Sequence, residues 1–416
     1  MFTESRNAGR AVLSLGLALA LALAGCAGTP KGMLSPVQTA GDGTSKVDLL
    51  VATTRAPTSA PGMLFSGERG PDVSLDRIVV SIPPESARKV GEVQWPKKVP
   101  GNPRTDFVTS DVERLDSTAA RGWFRKTAGR KRQLLLFVHG FNNRYEESVF
   151  RFAQIVHDSG TDFAPLLFTW PSRGSVFAYG YDRESTNFSR DGLEKVLQEA
   201  VASPDVGSIT VLAHSMGSWL AVESLRQLAI RQGKIPPKID NVILASPDID
   251  VDVFRKQMQD MGPDRPHFTI FVSRDDQALR LSRAISGGVD RLGSLDPTQE
   301  PYRSVFEKDD ITVLDLTALR TGDSLNHSKF AESPEVVRLL GQRLIDGQTV
   351  TDSDTGLGQR LGSVLAGAAQ SAGSAASVAV SLPISVFDPR TRENLGEQMG
   401  AVRQSVGNTF YSAAGH

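Results

Sequence analysis

The chain has 416 residues, 40% hydrophobic and 22% charged, with a formal net charge of −1. That is globular composition with length for a large core, and the balance gives no global field that would draw the protein to nucleic acid or an anionic surface. The one dense basic run, from Arg125-Lys126 to Arg130-Lys131-Arg132, lacks interleaved aromatics and directly precedes an apolar strand, so it reads as a solvated loop, and no nucleic-acid partner is expected. Residues 1–25 stand outside the fold. Arg6 and Arg10 make a positive start, and 11–24 is an uncharged Leu/Ala-rich stretch too short to span a bilayer comfortably, which is the make-up of a signal peptide. Residues 26–46, rich in Gly, Thr, Pro and Ser, read as a flexible tether. Residues 47–132 form a β-rich extension, with strands at 47–52 and 77–82, the second stopped by Pro83-Pro84, and shorter ones around Trp95-Pro96 and Phe107-Val108.

From residue 133 the pattern changes to strands alternating with helices. Strands are expected at 134–138, 165–170, 209–213, 242–245, 269–272 and 311–314, and helices at 146–158, 192–202, 219–232, 252–261, 277–284 and 334–345. Six short apolar strands separated by helices predict an α/β core over 133–348, a mostly parallel, doubly wound sheet with helices on both faces. In such sheets the chemistry sits at the carboxyl ends of the strands. Between Asp250 and Phe268 there is room for one helix and no large lid, which leaves the loop 174–189 as a possible small one. Residues 349–416 make an Ala/Gly/Ser-rich tail whose uncharged part, 361–387, reads as loosely packed rather than membrane-spanning.

The strongest chemical signal is Val211-Leu212-Ala213-His214-Ser215-Met216-Gly217, an apolar strand running through Ala-His-Ser-Met-Gly into a helix. It resembles the G-x-S-x-G nucleophile elbow of the α/β-hydrolase superfamily, with Ala213 in place of the first glycine. The sharp strand-to-helix turn strains the serine and lifts its hydroxyl above the sheet, and small residues on either side let the backbones approach. A second segment, Phe137-Val138-His139-Gly140-Phe141-Asn142-Asn143, resembles the His-Gly-aromatic stretch that forms half of the superfamily's oxyanion hole. The resemblance implies that the N–H groups of Phe141 and Met216 receive the tetrahedral oxyanion, with Gly140 allowing close approach and His139 orienting the loop.

The superfamily order of nucleophile, acid and histidine leaves three histidines after Ser215. His267 opens a strand, at its wrong end for catalysis, and His416 ends the tail. His327, in Gly322-Asp323-Ser324-Leu325-Asn326-His327, follows the last strand and is taken as the base that a serine hydroxyl needs. For the acid, Ser273-Arg274-Asp275-Asp276-Gln277 ends a strand and starts a helix. Asp276 is chosen, with Asp275 the first alternative and Asp248 and Asp250 behind it. Thr53-Thr54-Arg55, Thr169-Trp170-Pro171-Ser172 and Ser246-Pro247-Asp248-Ile249-Asp250 extend the resemblance to a little-characterised bacterial esterase/lipase-like branch of the superfamily. Trp170, Tyr179 and Tyr181 line the pocket mouth or belong to the core.

Leu23-Ala24-Gly25-Cys26 contains the only cysteine and resembles a lipobox, which implies cleavage before Cys26, its lipidation, and attachment to a membrane of the cell envelope. Ala27 rather than an aspartate follows it, which points to the periplasmic face of an outer membrane. The leading function is hydrolysis of a small-molecule or lipid acyl ester through a serine acyl-enzyme. An envelope transacylase or amidase would use the same residues, and a non-catalytic binding lipoprotein would need none of them. No H-E-x-x-H or Cys/His cluster is present, so neither a metal nor another cofactor is expected.

Overall fold

A computed structural model describes residues 29–341 apart from 39–42, 128, 130, 131, 161, 321 and 322. The expectations for the signal segment, Cys26, the tail and His416 lie outside the described residues. Strands β1 (Ser45–Pro57), β2 (Phe65–Ile82) and β3 (Val108–Leu115) precede the core strands β4 (Gln133–Val138), β5 (Ala164–Thr169), β6 (Ser208–His214), β7 (Ile239–Ala245), β8 (His267–Val272) and β9 (Ile311–Asp315). All nine form one sheet in the order β3-β2-β1-β5-β4-β6-β7-β8-β9. Only β2 pairs antiparallel to its neighbours; β1 joins β5 in parallel through Leu50–Leu166 to Thr53–Thr169. The β-rich extension is therefore continuous with the core sheet.

The helices are α1 (Ser117–Thr127), α2 (Tyr145–Ser159), α3 (Tyr179–Ala202), α4 (Met216–Gln232), α5 (Val251–Met261), α6 (Gln277–Ile285), α7 (Tyr302–Lys308), α8 (Lys329–Glu332) and α9 (Pro334–Leu339). Successive strand residues point to opposite faces, and both faces are covered. Leu134, Leu136 and Val138 join α1, α3, α4 and α5 in one apolar layer. Leu135 and Phe137 join α2, α8 and α9 in the other. That is why β4 reads as an unbroken apolar run.

Four expectations change. Residues 29–38 are docked rather than tethering: Met33 and Leu34 are buried, Leu34 N–H donates to the Gly62 carbonyl at 3.0 Å, and Val37 N–H to that of Thr109 at 2.8 Å. Their apolar pair outweighs the loop-like composition around it. The basic run begins inside α1, whose Ala120, Trp123 and Phe124 are buried while Arg125 and Lys126 occupy the last turn, where cations favour the negative helix end. Residues 179–189, expected as part of a lid loop, are the first half of α3. Its inner face is polar, with Thr54 and Ser189 hydroxyls 2.7 Å apart and Thr186 Oγ1 donating to the Arg183 carbonyl, so no apolar period announces it. The expected short strand at Trp95-Pro96 is irregular backbone.

Candidate active site

Strand β6 ends at His214 and α4 begins at Met216, leaving Ser215 as the single residue of the turn, with φ 52° and ψ −124°. Such a conformation costs a non-glycine residue about 1–3 kcal/mol and persists only when neighbours over-determine it. Here they do. Ser215 N–H donates to the Ala245 carbonyl at 2.9 Å, and its own carbonyl accepts from Asp248 N–H at 3.1 Å. The glycines on either side of the site are sterically required. A Cβ on Gly140 would meet Ser215 Cβ and His214 Nδ1 at 2.9 Å, and one on Gly217 would stand 2.2 Å from the His139 carbonyl oxygen. Gly217→Ala is therefore expected to lower the melting temperature by about 5 °C or more, since overpacking against fixed backbone costs about 1–3 kcal/mol or more. Thermal unfolding of the purified variant checks this, and an unchanged midpoint contradicts the packing argument.

The segment 139–144 thus abuts the serine turn. Met216 opens α4, so its N–H has no intrahelical acceptor, and Phe141 N–H meets no acceptor among the described residues. His139 is held from all sides. Its Nδ1–H donates to the Gly140 carbonyl (2.8 Å), its Nε2 accepts from Trp170 N–H (3.1 Å), and its ring stacks on the Trp170 indole, 4.9 Å away between centroids. Burial, with Arg55 adding to it, pushes its pKa down to about 3, so the ring stays neutral and serves as a fixed prop. Trp170 is fully buried beneath it, a core residue rather than part of the mouth. Tyr179 packs edge-on against Phe141 and hydrogen-bonds Ser282, while Tyr181 lies against Arg173.

His327 is brought to the same place from the loop after β9. Its Nδ1 lies 2.7 Å from Asp276 Oδ2, and its ring centroid lies 4.7 Å from that of His214, the residue before Ser215. Asp276 is fully buried, and its other oxygen caps α6 by accepting from Leu279 N–H at 2.9 Å. One carboxylate is thus held by a helix and holds an imidazole. Burial disfavours the imidazolium, but the facing Asp276, with Asp248 and Asp323 further off, outweighs it and raises the His327 pKa. His214 has no such partner; burial and the neighbouring His327 keep it well below the ordinary histidine range, and its Nε2–H donates to the His327 carbonyl at 3.2 Å.

The other acid candidates are engaged elsewhere. Asp275 pairs with the buried Lys329 at 2.8 Å, Asp248 accepts from Ser282 and faces Arg291, and Asp250 caps α5. His267 sits at the opposite end of β8, beside Thr312.

Three supporting residues carry no role in the sequence reading. Buried Arg55 donates to the carbonyls of Ser172 and Asn143, both at 2.8 Å, tying β1 and the post-β5 loop to the Gly140–Asn143 segment. Asp182 on α3 accepts from Ser172 Oγ and from Arg173 N–H. Asp323 accepts from His327 N–H at 2.7 Å and Ser328 N–H at 2.8 Å, fixing the backbone that presents the imidazole. A cavity of about 250 Å³ adjoins this segment, walled by His139, Asn142, Arg151, His214 and Phe330; Ser215 is not in its wall.

A mostly parallel sheet, a strained serine between strand and helix and a histidine on the last-strand loop define an α/β-hydrolase. The sequence profile described as "Alpha/beta hydrolase of unknown function (DUF900)" matches residues 116–343, just over half of the chain, and the protein belongs to that family. No curated protein matches it. Among solved structures, it is similar to a putative cell surface hydrolase from Lactobacillus plantarum (13% identity, 53% of this chain and 94% of that one, TM-score 0.34). It is also similar to an esterase from Pyrobaculum calidifontis (12% identity, 56% and 94%, TM-score 0.29).

Proposed function

We propose that this hydrolase is a serine esterase that cleaves carboxylic esters through an acyl-enzyme and is held in the cell envelope by lipid on Cys26. The observation that carries the reading is the buried Asp276 carboxylate 2.7 Å from His327 Nδ1, beside the strained Ser215 turn. With Nδ1–H donated to Asp276, Nε2 is left with a free lone pair. It accepts the Ser215 hydroxyl proton as Oγ attacks the ester carbonyl. The Phe141 and Met216 N–H groups receive the oxyanion, aided by the positive end of α4. Collapse expels the alcohol, which takes the proton back from Nε2. Water then enters and adds to the acyl carbonyl as Nε2 takes one of its protons, and collapse releases the acid while Nε2 returns that proton to Ser215 Oγ.

The envelope part of the reading rests on Leu23-Ala24-Gly25-Cys26. Several acyl chains at about 0.8 kcal/mol per buried carbon anchor a protein stably without a spanning helix. The periplasmic face of an outer membrane is the location proposed. One experiment tests both parts. A fluorophosphonate probe is added to the membrane-extracted protein and the peptides are weighed. The adduct is expected on the Ser215 peptide, because the probe's tetrahedral product mimics the acyl-transfer transition state. Acyl mass is expected on an N-terminus that begins at Cys26. Folded protein with no adduct and no turnover of any short acyl ester makes it a non-catalytic binding lipoprotein. Unmodified Cys26 removes the anchor and leaves the esterase standing.

A further inference from the structure

Cys26 precedes Thr29 by three residues, and Thr29 is fastened to the fold. Arg144 donates to its carbonyl at 2.7 Å, and its hydroxyl bonds Glu147 on the first turn of α2. Arg144 ends the segment that carries Phe141. Its side chain is also in contact with Gly174, where an added Cβ would stand 2.6 Å from Arg144 Cγ. Gly174 begins the short loop that carries Val176 and Phe177. Three residues span at most about 11 Å. A lipid on Cys26 would therefore enter the bilayer beside the carboxyl ends of the strands, where Ser215 lies, and not at the opposite edge of the sheet.

Several of the exposed large apolar side chains among the described residues lie at the same end. Phe177 is 96% exposed and Val176 61%. Leu281 and Ile285, four residues apart on α6 and so on one helical face, are 61% and 56% exposed, and Leu325, two residues before His327, is 49% exposed. These segments touch one another around the site. Tyr179, after the Phe177 loop, reaches Phe141 and Ser282 of α6, and Gln277 N–H at the start of α6 donates to the Leu325 carbonyl at 2.9 Å. Large apolar side chains left in water and grouped at one end mark a surface that interacts with something.

We propose that this end of the molecule is a membrane-docking surface. The protein sits on the bilayer that holds its own anchor, with Phe177, Leu281 and Leu325 at the interface, and its substrate is an acyl ester carried by that bilayer. The short link from Cys26 to Thr29 places this end against lipid, and exposed apolar side chains are the kind that bury at the headgroup–acyl boundary. The proposal rests on Cys26 as the anchor and on Ser215 as the nucleophile. Its geometric half is testable without turnover.

The test uses the full lipidated chain in vesicles, with lipidation of Cys26 verified by mass. Its sulfur is then blocked, so Phe177→Cys supplies the one reactive thiol for a fluorescent label. Lys234→Cys, in the exposed turn after α4 at the opposite edge of the sheet, supplies the comparison. With nitroxide-bearing lipids in the vesicle, quenching at position 177 is expected to exceed that at 234 by about threefold or more, since this end reaches the acyl boundary. Equal quenching, or more at 234, overturns the proposal. A label at 177 shielded from water yet untouched by the lipid quencher places another protein surface on this end and overturns it as well. The same measurement on a Ser215→Ala background reads orientation alone, so a failure of the esterase reading is seen separately, as a wild type that gives no fluorophosphonate adduct.

Discussion

Ser215→Ala is expected to lower kcat for a short acyl ester by about 10⁵- to 10⁶-fold while leaving the melting temperature nearly unchanged, because the hydroxyl is the bond-forming group and the residual rate comes from the oxyanion donors and binding alone. His327→Ala should do about as much damage. Without an acceptor for its proton the hydroxyl is a weak nucleophile, and the turn that lifts it off the strand gains nothing. The double variant should be little worse than either single one, since residues that act as a unit lose their effect together. The readout is steady-state hydrolysis of a chromogenic acetyl or butyryl ester beside the wild type. A Ser215→Ala protein within about tenfold of wild type moves the nucleophile elsewhere.

Asp276→Asn should cost about 10⁴-fold in kcat and change the shape of the pH profile. An asparagine oxygen can still cap α6, so the fold survives, but its amide presents a donor to Nδ1 and traps the imidazole in the wrong tautomer. In the wild type the His327 pKa is raised, burial working against the charged ring and Asp276 outweighing it. The base works as neutral imidazole, so the wild-type rate should fall with acid through a midpoint above the ordinary value of about 6.5. Removing the carboxylate leaves burial dominant, and the midpoint should move to lower pH. Linkage gives the matching stability result. A raised folded-state pKa contributes stability that is fully present below the unfolded value and lost as pH rises through the folded one. Asp276→Asn should therefore destabilise the protein more at pH 6 than at pH 9. If both profiles match the wild type, Asp276 does not face the working base.

The elbow was legible because its signal is local. A strand, a serine between small residues and a helix are contiguous in the chain, and chain order together with position along the strands narrows the histidines to one on a loop after the last strand. For Asp276 the place was legible, a strand's carboxyl end running into a helix, but the helix cap was expected of its neighbour Asp275, whereas Asp276 itself caps α6 and Asp275 pairs with Lys329. The supports of the site were not legible. Arg55 meets Asn143 across 88 positions and Ser172 across 117, separations that no periodicity encodes. Thr53-Thr54-Arg55 stood out as a motif without revealing what it grips. The first half of α3 escaped because its buried face is built from Asp182, Ser185, Thr186 and Ser189, which bond to earlier carbonyls of the helix, to the loop after β5 and to Thr54 instead of forming an apolar stripe. In α1, by contrast, the spacing of Ala120, Trp123 and Phe124 is a readable helical signal, overlaid by the basic run that follows it.

The double engagement of Asp276 has a mechanical consequence. One of its oxygens is fixed to the first turn of α6 and the other to the His327 ring, so helix, carboxylate and imidazole form a single linkage with the cap as its pivot. The nine-residue helix buries only Leu279 and Ser282 and is otherwise lightly held. A tilt of this lever, from whatever presses on its outer face at Leu281 and Ile285, swings the carboxylate and re-aims Nε2. Hydrogen-bond geometry tolerates little such swing before it weakens, so the seating of α6 sets the alignment of the base.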